Sequence, residues 1–334
     1  MSLKKKSLIR FAPFAILALT AWIIFMQISS SWSLFQDNWF MTLTMVFGSF
    51  IAGASSEGGG AIAYPVMTLL FNIEPDVARN FSFAIQSVGM TFAAIWIFIS
   101  GIKIEKNYLL IAGIGGFFGI IFGSFYIAPL IKPEFAKMMF VSFWLSFGLA
   151  LWVVNFINQR KSIDQLDLLS KTQMIELFAV GIIGGIFSSV LGNGIDICTF
   201  SYVVLKYRLS EKIATPTSVI LMASNAIIGF ILQYFFLDSV QPEVINYWLV
   251  SVPVVIFGAP LGAFVITLIN RKTIAGILIA IIIIQFLTAI FMIKPGLILS
   301  LFSFGIFTTG VLLFFVITRL NRSVDSVSKS TLND

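Results

Sequence analysis

Histidine is absent from the 334-residue chain, and cysteine occurs once, as Cys198. Without histidine there is no imidazole base, no Ser-His or Cys-His nucleophile pair and no common zinc site. One cysteine excludes an intrachain disulfide. These absences do not exclude catalysis but remove its commonest instruments, and the expectation is of a protein that is not an enzyme and carries no resident cofactor or metal. Charge is scarce as well. Asp, Glu, Lys and Arg make up only 11% of the residues, against roughly 25% in soluble proteins.

What fills the chain is apolar: 58% of the residues, with 36 Phe. A soluble fold of this length cannot hide so much apolar surface, whereas a bilayer solvates it. The net charge of +6 does not indicate nucleic acid, because the basic residues sit in short stretches between apolar runs, as at membrane flanks. Apolar segments fall at 8–28, 39–56, 60–72, 79–101, 108–131, 136–158, 174–191, 195–206, 213–237, 245–269, 273–293 and 295–318. Most are long enough to cross a hydrocarbon core of ~30 Å at 1.5 Å per residue. The first follows Lys4, Lys5, Lys6 and Arg10; it is too long for a signal peptide and is expected to be an uncleaved span. Trp22, Trp32 and Trp39 read as interface anchors at its outer end.

Segments 60–72 and 195–206 are about half-length, and each follows a glycine-rich break. The breaks are Ser55-Ser56-Glu57-Gly58-Gly59-Gly60 and Leu191-Gly192-Asn193-Gly194-Ile195-Asp196. Non-helical backbone at membrane depth is tolerated only inside protein or beside a water-filled cavity. The breaks also belong to an internal repeat. Gly58 and Gly60 match Gly192 and Gly194; Ala78 and Ser82 match Ala214 and Ser218; Gly119 and Gly123 match Gly258 and Gly262.

The distribution of Lys and Arg favours re-entrant hairpins at both breaks over two further crossings, since it leaves only Arg79, Lys132, Lys137 and Lys294 outside. Each repeat is then a hairpin plus three spans, an odd number, so the halves are inverted. The expected architecture is an all-α polytopic membrane protein with an inverted-topology repeat, about eight full transmembrane helices and two re-entrant helical hairpins. Its parts are 1–38 (an extra span and outer loop), 39–158 (repeat 1), 159–173 (a cytoplasmic linker), 174–293 (repeat 2), 294–318 (an extra span) and 319–334 (a tail). Both termini are expected to be cytoplasmic, in a plasma (inner) membrane. Such repeats with discontinuous helices are a recurring design of secondary transporters.

The break followed by Gly58-Gly59-Gly60-Ala61-Ile62-Ala63-Tyr64-Pro65, then an Ala-x-x-x-Ser stretch, resembles the first half of the TauE/SafE sulfite exporter family. The second break, Ala214-Thr215-Pro216-Thr217-Ser218 and Gly258-Ala259-Pro260-Leu261-Gly262-Ala263 are similar to its second half. The resemblance covers about residues 40–293. It implies transport of a small sulfur-containing anion: sulfite, thiosulfate, or a C2 sulfonate such as taurine, isethionate or sulfoacetate. Two departures fall at the breaks. Ser55-Ser56-Glu57 stands where the family more often has small residues, and Thr199 stands at the position matching Pro65.

The residues agree on charge. No Lys or Arg lies deep within the expected spans, so positive potential for an anion has to come from half-helix N-termini at the breaks. The candidate substrate-binding residues are Ser55, Ser56, Gly58, Gly59, Gly60, Ser188, Ser189, Gly192, Asn193, Gly194, Thr217, Ser218 and Asn225. Glu57 and Asp196 are the carboxylates near the breaks. As ionisable groups at membrane depth they are candidates for coupling to a co-transported proton or sodium; the simpler alternative is that they cap the half-helices. The partners expected are the bilayer and a small anion. A passive channel, or a membrane-embedded enzyme or assembly factor, is the alternative function. Arg79, close after Glu74-Pro75-Asp76, is expected to form a local ion pair.

Overall fold

In the computed structural model, residues 3–55, 58, 63, 66–157, 162–166 and 169–330 are described. The described chain is helical, with α1 (Leu3–Ile28), α2 (Leu34–Ala54), α3 (Pro75–Ile99), α4 (Lys106–Phe122), α5 (Pro133–Trp152) and α6 (Lys171–Leu191). Then come α7 (Ile195–Lys206), α8 (Glu211–Ile231), α9 (Pro242–Val265), α10 (Arg271–Ile293) and α11 (Leu297–Ser330). Extended pairing among the described residues is a lone parallel bridge between Ile163 and Leu209.

Among the described residues, nine helices are long and apolar enough to cross a membrane. Eight coincide with the full spans expected; the ninth, Lys171–Leu191, is the leading arm of the second broken element. The chain is thus a polytopic helical membrane protein. Helix ends follow local chemistry. Pro75 and Pro242 start α3 and α9, where a missing N–H costs nothing. Ser170 and Gln173 form a capping box on α6, with bonds of 3.3 and 2.9 Å. Arg79 pairs with Asp76 at 3.1 Å, one turn away, as expected.

Two seams hold the bundle together, both lined by small residues that let backbones approach. Along α2 and α9, β-carbons at Gly53 or Gly262 would run into the carbonyls of Ala259 or Phe50. Along α4 and α6, β-carbons at Gly119 or Gly181 would run into the carbonyls of Ile182 or Ala112. The pairing is reciprocal: α2, the helix before the first break, lies on α9 of the chain's second half, and α6, the helix before the second break, lies on α4 of the first half. Between the seams α3 packs on α8, burying Met90 with Val219 and Met222, and Phe83 with Ala226.

In both broken elements the segment after the break packs on the helix before it. After the first, Ala63 and Met67 pack on Met41 and Met45 of α2, and Phe71 stacks on Phe40 at 4.0 Å. After the second, α7 returns along α6 until Lys206 Nζ reaches Glu176 Oε2 at 2.5 Å, with Tyr202 and Tyr207 hydroxyls on the same oxygen at 2.8 and 3.1 Å. α11 is tied to α5 through Ser303 and Ser142, 2.5 Å apart. α1 packs on α3 through Phe11, Phe92 and Trp96, and its Trp22 indole donates to Leu249 O of α9 at 2.8 Å.

Candidate functional site

The second break is built from its glycines outward. α6 ends at Gly192, whose φ of +81° is left-handed, and its N–H donates to the Ser188 carbonyl at 2.8 Å. A side chain would be strained there on two counts. The conformation favours glycine, and a β-carbon would lie 2.7 Å from both Arg79 O and Ser82 Cβ. Residue 192 therefore has to be small for α3 to pass so close. The chain then reverses through Asn193 and Gly194 (φ +150°) into α7.

The first donors of α7 find partners within the break. Ile195 N–H donates to Ser188 Oγ at 2.9 Å, and Gly194 N–H donates to Asp196 Oδ1 at 3.1 Å. Asp196 is fully buried, and its Oδ2 has no hydrogen-bond partner. One turn on, Thr199 Oγ1 lies 2.8 Å from the Tyr108 hydroxyl.

The two breaks meet at Gln86, a residue of α3. Its Nε2 donates to Ser82 O at 3.0 Å and Gly192 O at 3.2 Å. With both amide hydrogens on carbonyls, the side-chain orientation is fixed by the network. Gln86 Oε1 is buried without a hydrogen-bond partner. It lies beside Gly58 of the first break: a β-carbon there would sit 2.8 Å from Gln86 Oε1, 2.8 Å from Met222 Sδ and 3.5 Å from Asn193 Nδ2. Gly58, with φ of +69°, is the second position where both conformation and space call for glycine.

Of the residues singled out from sequence, Gly58, Gly192, Asn193, Gly194, Ser188 and Asp196 come together here. Ser55 is buried where the chain leaves α2 in an extended conformation. Asn225 stands close by, its Nδ2 donating to Gly116 O at 3.4 Å, and Gly116 abuts Ile195. Three hydroxyls bond elsewhere. Ser189 donates to Ile186 O at 2.7 Å and stands against Gly123. Thr217 donates to Ile213 O at 2.7 Å and accepts from Glu105 N at 2.9 Å, serving the loop before α4. Ser218 donates to Thr215 O at 2.8 Å. Ser56, Glu57, Gly59, Gly60 and Pro65 lie outside the described residues.

Gln86 and Met222 were not among the sequence candidates. An amide within an apolar span, one turn after Ser82, was the available signal for Gln86; Met222 offered none. The assembled locus holds amide groups, the start of a half-helix, and two buried oxygens, Gln86 Oε1 and Asp196 Oδ2, that only accept once Asp196 is ionised. Buried acceptors without donors are costly, and a proton, a cation or a donor-bearing ligand relieves them.

No curated protein and no solved structure matches the chain. The family profile described as Sulfite exporter TauE/SafE matches residues 40–292, a stretch that holds both breaks and Gln86 and leaves α1 and α11 outside. The chain belongs to the TauE/SafE family of membrane transporters.

Proposed function

We propose that this protein is a secondary transporter that carries a small sulfur oxyanion or C2 sulfonate by alternating access around the locus between the two breaks. The observation that carries the reading is the approach of Gly58 to Gln86 and Asn193, which unites the two interrupted elements at one place. Half-helix N-termini supply positive potential without a buried Lys or Arg. The reciprocal α2–α9 and α4–α6 seams support two inverted repeats, each a hairpin plus three spans. Rocking of such units against each other exposes a central site to either side.

Asp196 gives the coupling step a physical basis. Its carboxylate accepts from Gly194 N–H at the half-helix start, where an anion would bind. An ionised Asp196 therefore competes with the substrate for the same donors and repels it. Protonation, or a sodium ion on the unpartnered Oδ2, lifts both effects and makes anion binding depend on the co-transported cation. Glu57 is the carboxylate at the first break and the second candidate for coupling.

Counterflow in proteoliposomes tests the proposal. Unlabelled sulfite or taurine inside should accelerate entry of labelled anion, and an imposed proton or sodium gradient should drive accumulation. Flux without counterflow or gradient dependence contradicts it and describes a channel.

A further inference from the structure

Away from the breaks, a cavity of about 450 Å³ opens where several helices end together. Lys103 follows α3, Lys212 lies in the first turn of α8, and Asp164 belongs to the linker before α6; all three are on the wall and exposed. Neither lysine has an ion-pair partner among the described residues. The wall also includes Ser100 and Trp96. Trp96 is only 8% exposed, and its indole N–H and the Ser100 hydroxyl lack hydrogen-bond partners.

A second hollow of about 400 Å³ adjoins the first, sharing Trp96 and Phe264. It is almost wholly apolar and continues past Phe11, Pro260 and Leu261 to Phe257. From Phe264, which lines both hollows, to Phe257 in the second, α9 descends about 10 Å at 1.5 Å per residue. Phe257 and Leu261 are half exposed, at 52% and 53%, on a surface that only acyl chains can solvate. A basin at the helix ends that carries two lysines and one aspartate thus leads into an apolar groove along the span. The head of a phospholipid and the upper part of one of its chains have this order of polarity.

We propose that the composite site binds an anionic phospholipid, with the phosphate against Lys103 and Lys212 and one acyl chain in the groove between α1 and α9. Basic pockets between helices at a membrane surface select such head groups. A soluble anion makes no use of the groove, and Asp164 lowers the basin's attraction for anions without cancelling two lysines. The site also bears on how α1 is held. Only 11% of its most apolar stretch is buried, and its ring contacts to the core, Phe11 to Trp96 at 5.6 Å and to Phe92 at 6.1 Å, line or border this groove. A lipid seated there joins α1 to the core.

The test is lipid retention by the delipidated full-length protein, read by native mass spectrometry with dioleoyl phosphatidylglycerol and dioleoyl phosphatidylcholine. The expected result is preferential retention of phosphatidylglycerol, about fivefold per lysine. The preference should be lost in Lys103→Gln/Lys212→Gln and increased in Asp164→Asn, while Leu261→Trp, which fills the groove, weakens retention of either lipid. These positions are exposed, so the variants should stay monodisperse. Equal retention of the two lipids by the parent protein, or a preference that survives loss of both lysines, overturns the proposal. So does displacement of the lipid by millimolar inorganic phosphate, which would make a free anion the ligand.

Discussion

Gly58 and Asn193, from opposite halves of the chain, stand so close that a β-carbon on Gly58 would lie 3.5 Å from Asn193 Nδ2. The glycine is held there in a left-handed conformation, with Gln86 and Met222 nearer still. Gly58→Ala should cost about 1–2 kcal/mol in backbone strain alone and lower transport at least tenfold without abolishing expression. The neighbours in the way are side-chain ends, so Met222→Ala should restore part of the activity. Initial uptake rates in proteoliposomes check both statements.

Gly192→Ala should be worse and should not be rescued. Its added carbon meets backbone, Arg79 O at 2.7 Å, which no side-chain truncation removes. The expected outcome is a lower melting temperature than that of Gly58→Ala, measured by thermal unfolding in one detergent.

Replacing Asp196 by Asn should separate binding from coupling. The amide cannot ionise, so substrate binding should persist while its dependence on proton or sodium concentration disappears. Substrate titrations at two pH values, with and without sodium, provide the check. Undiminished ion dependence in the variant removes Asp196 from the coupling step.

A buried cluster far from the site predicts a stability effect. Asn155 Nδ2 donates to Glu211 Oε1 at 2.8 Å, Arg271 Nη1 donates to Asn155 Oδ1 at 2.9 Å, and Arg271 lies 3.7 Å from Glu211 Oε2. The cluster ties the starts of α8 and α10 to the end of the α5 segment. Glu211→Ala leaves Arg271 without its carboxylate and should cost about 2–3 kcal/mol, discounted because Arg271 is partly exposed. Adding Arg271→Ala should cost less than the sum of the two single changes.

The inverted repeat has its own test. With Cys198→Ser as background, single cysteines at Asp164 and Asp238 should react with impermeant reagents from opposite sides of the membrane. Reaction from the same side contradicts the hairpin-plus-three-spans topology.

Much of this arrangement was legible in the chain itself. Glycine clusters between apolar half-segments identify backbone that leaves the helix, so both breaks could be found without coordinates. Lys206 and Glu176, which staple the returning arm, carry no such signal, because their meeting depends on where the chain reverses. Adjacent hydroxyls were the weaker guide. Ser188 and Ser189 differ by about 100° around the helix, so only Ser188 faces the break while Ser189 points to Gly123. Gln86 escaped notice for another reason. Under the proposed repeat it pairs with Met222, so the matching that picks out the glycines gives no hint of the amide between them.

The most direct test of the central claim is a thermal-shift titration of purified protein with sulfite, thiosulfate, taurine, isethionate and sulfoacetate, against sulfate, acetate and lactate. Saturation at about 100 times the dissociation constant stabilises the fold by roughly 2.7 kcal/mol. The account predicts a shift confined to sulfur oxyanions or sulfonates that is lost in Asn193→Ala and Gln86→Ala, each compared with its own ligand-free melting temperature. A shift that survives in both variants, or no shift with any of these anions, contradicts it.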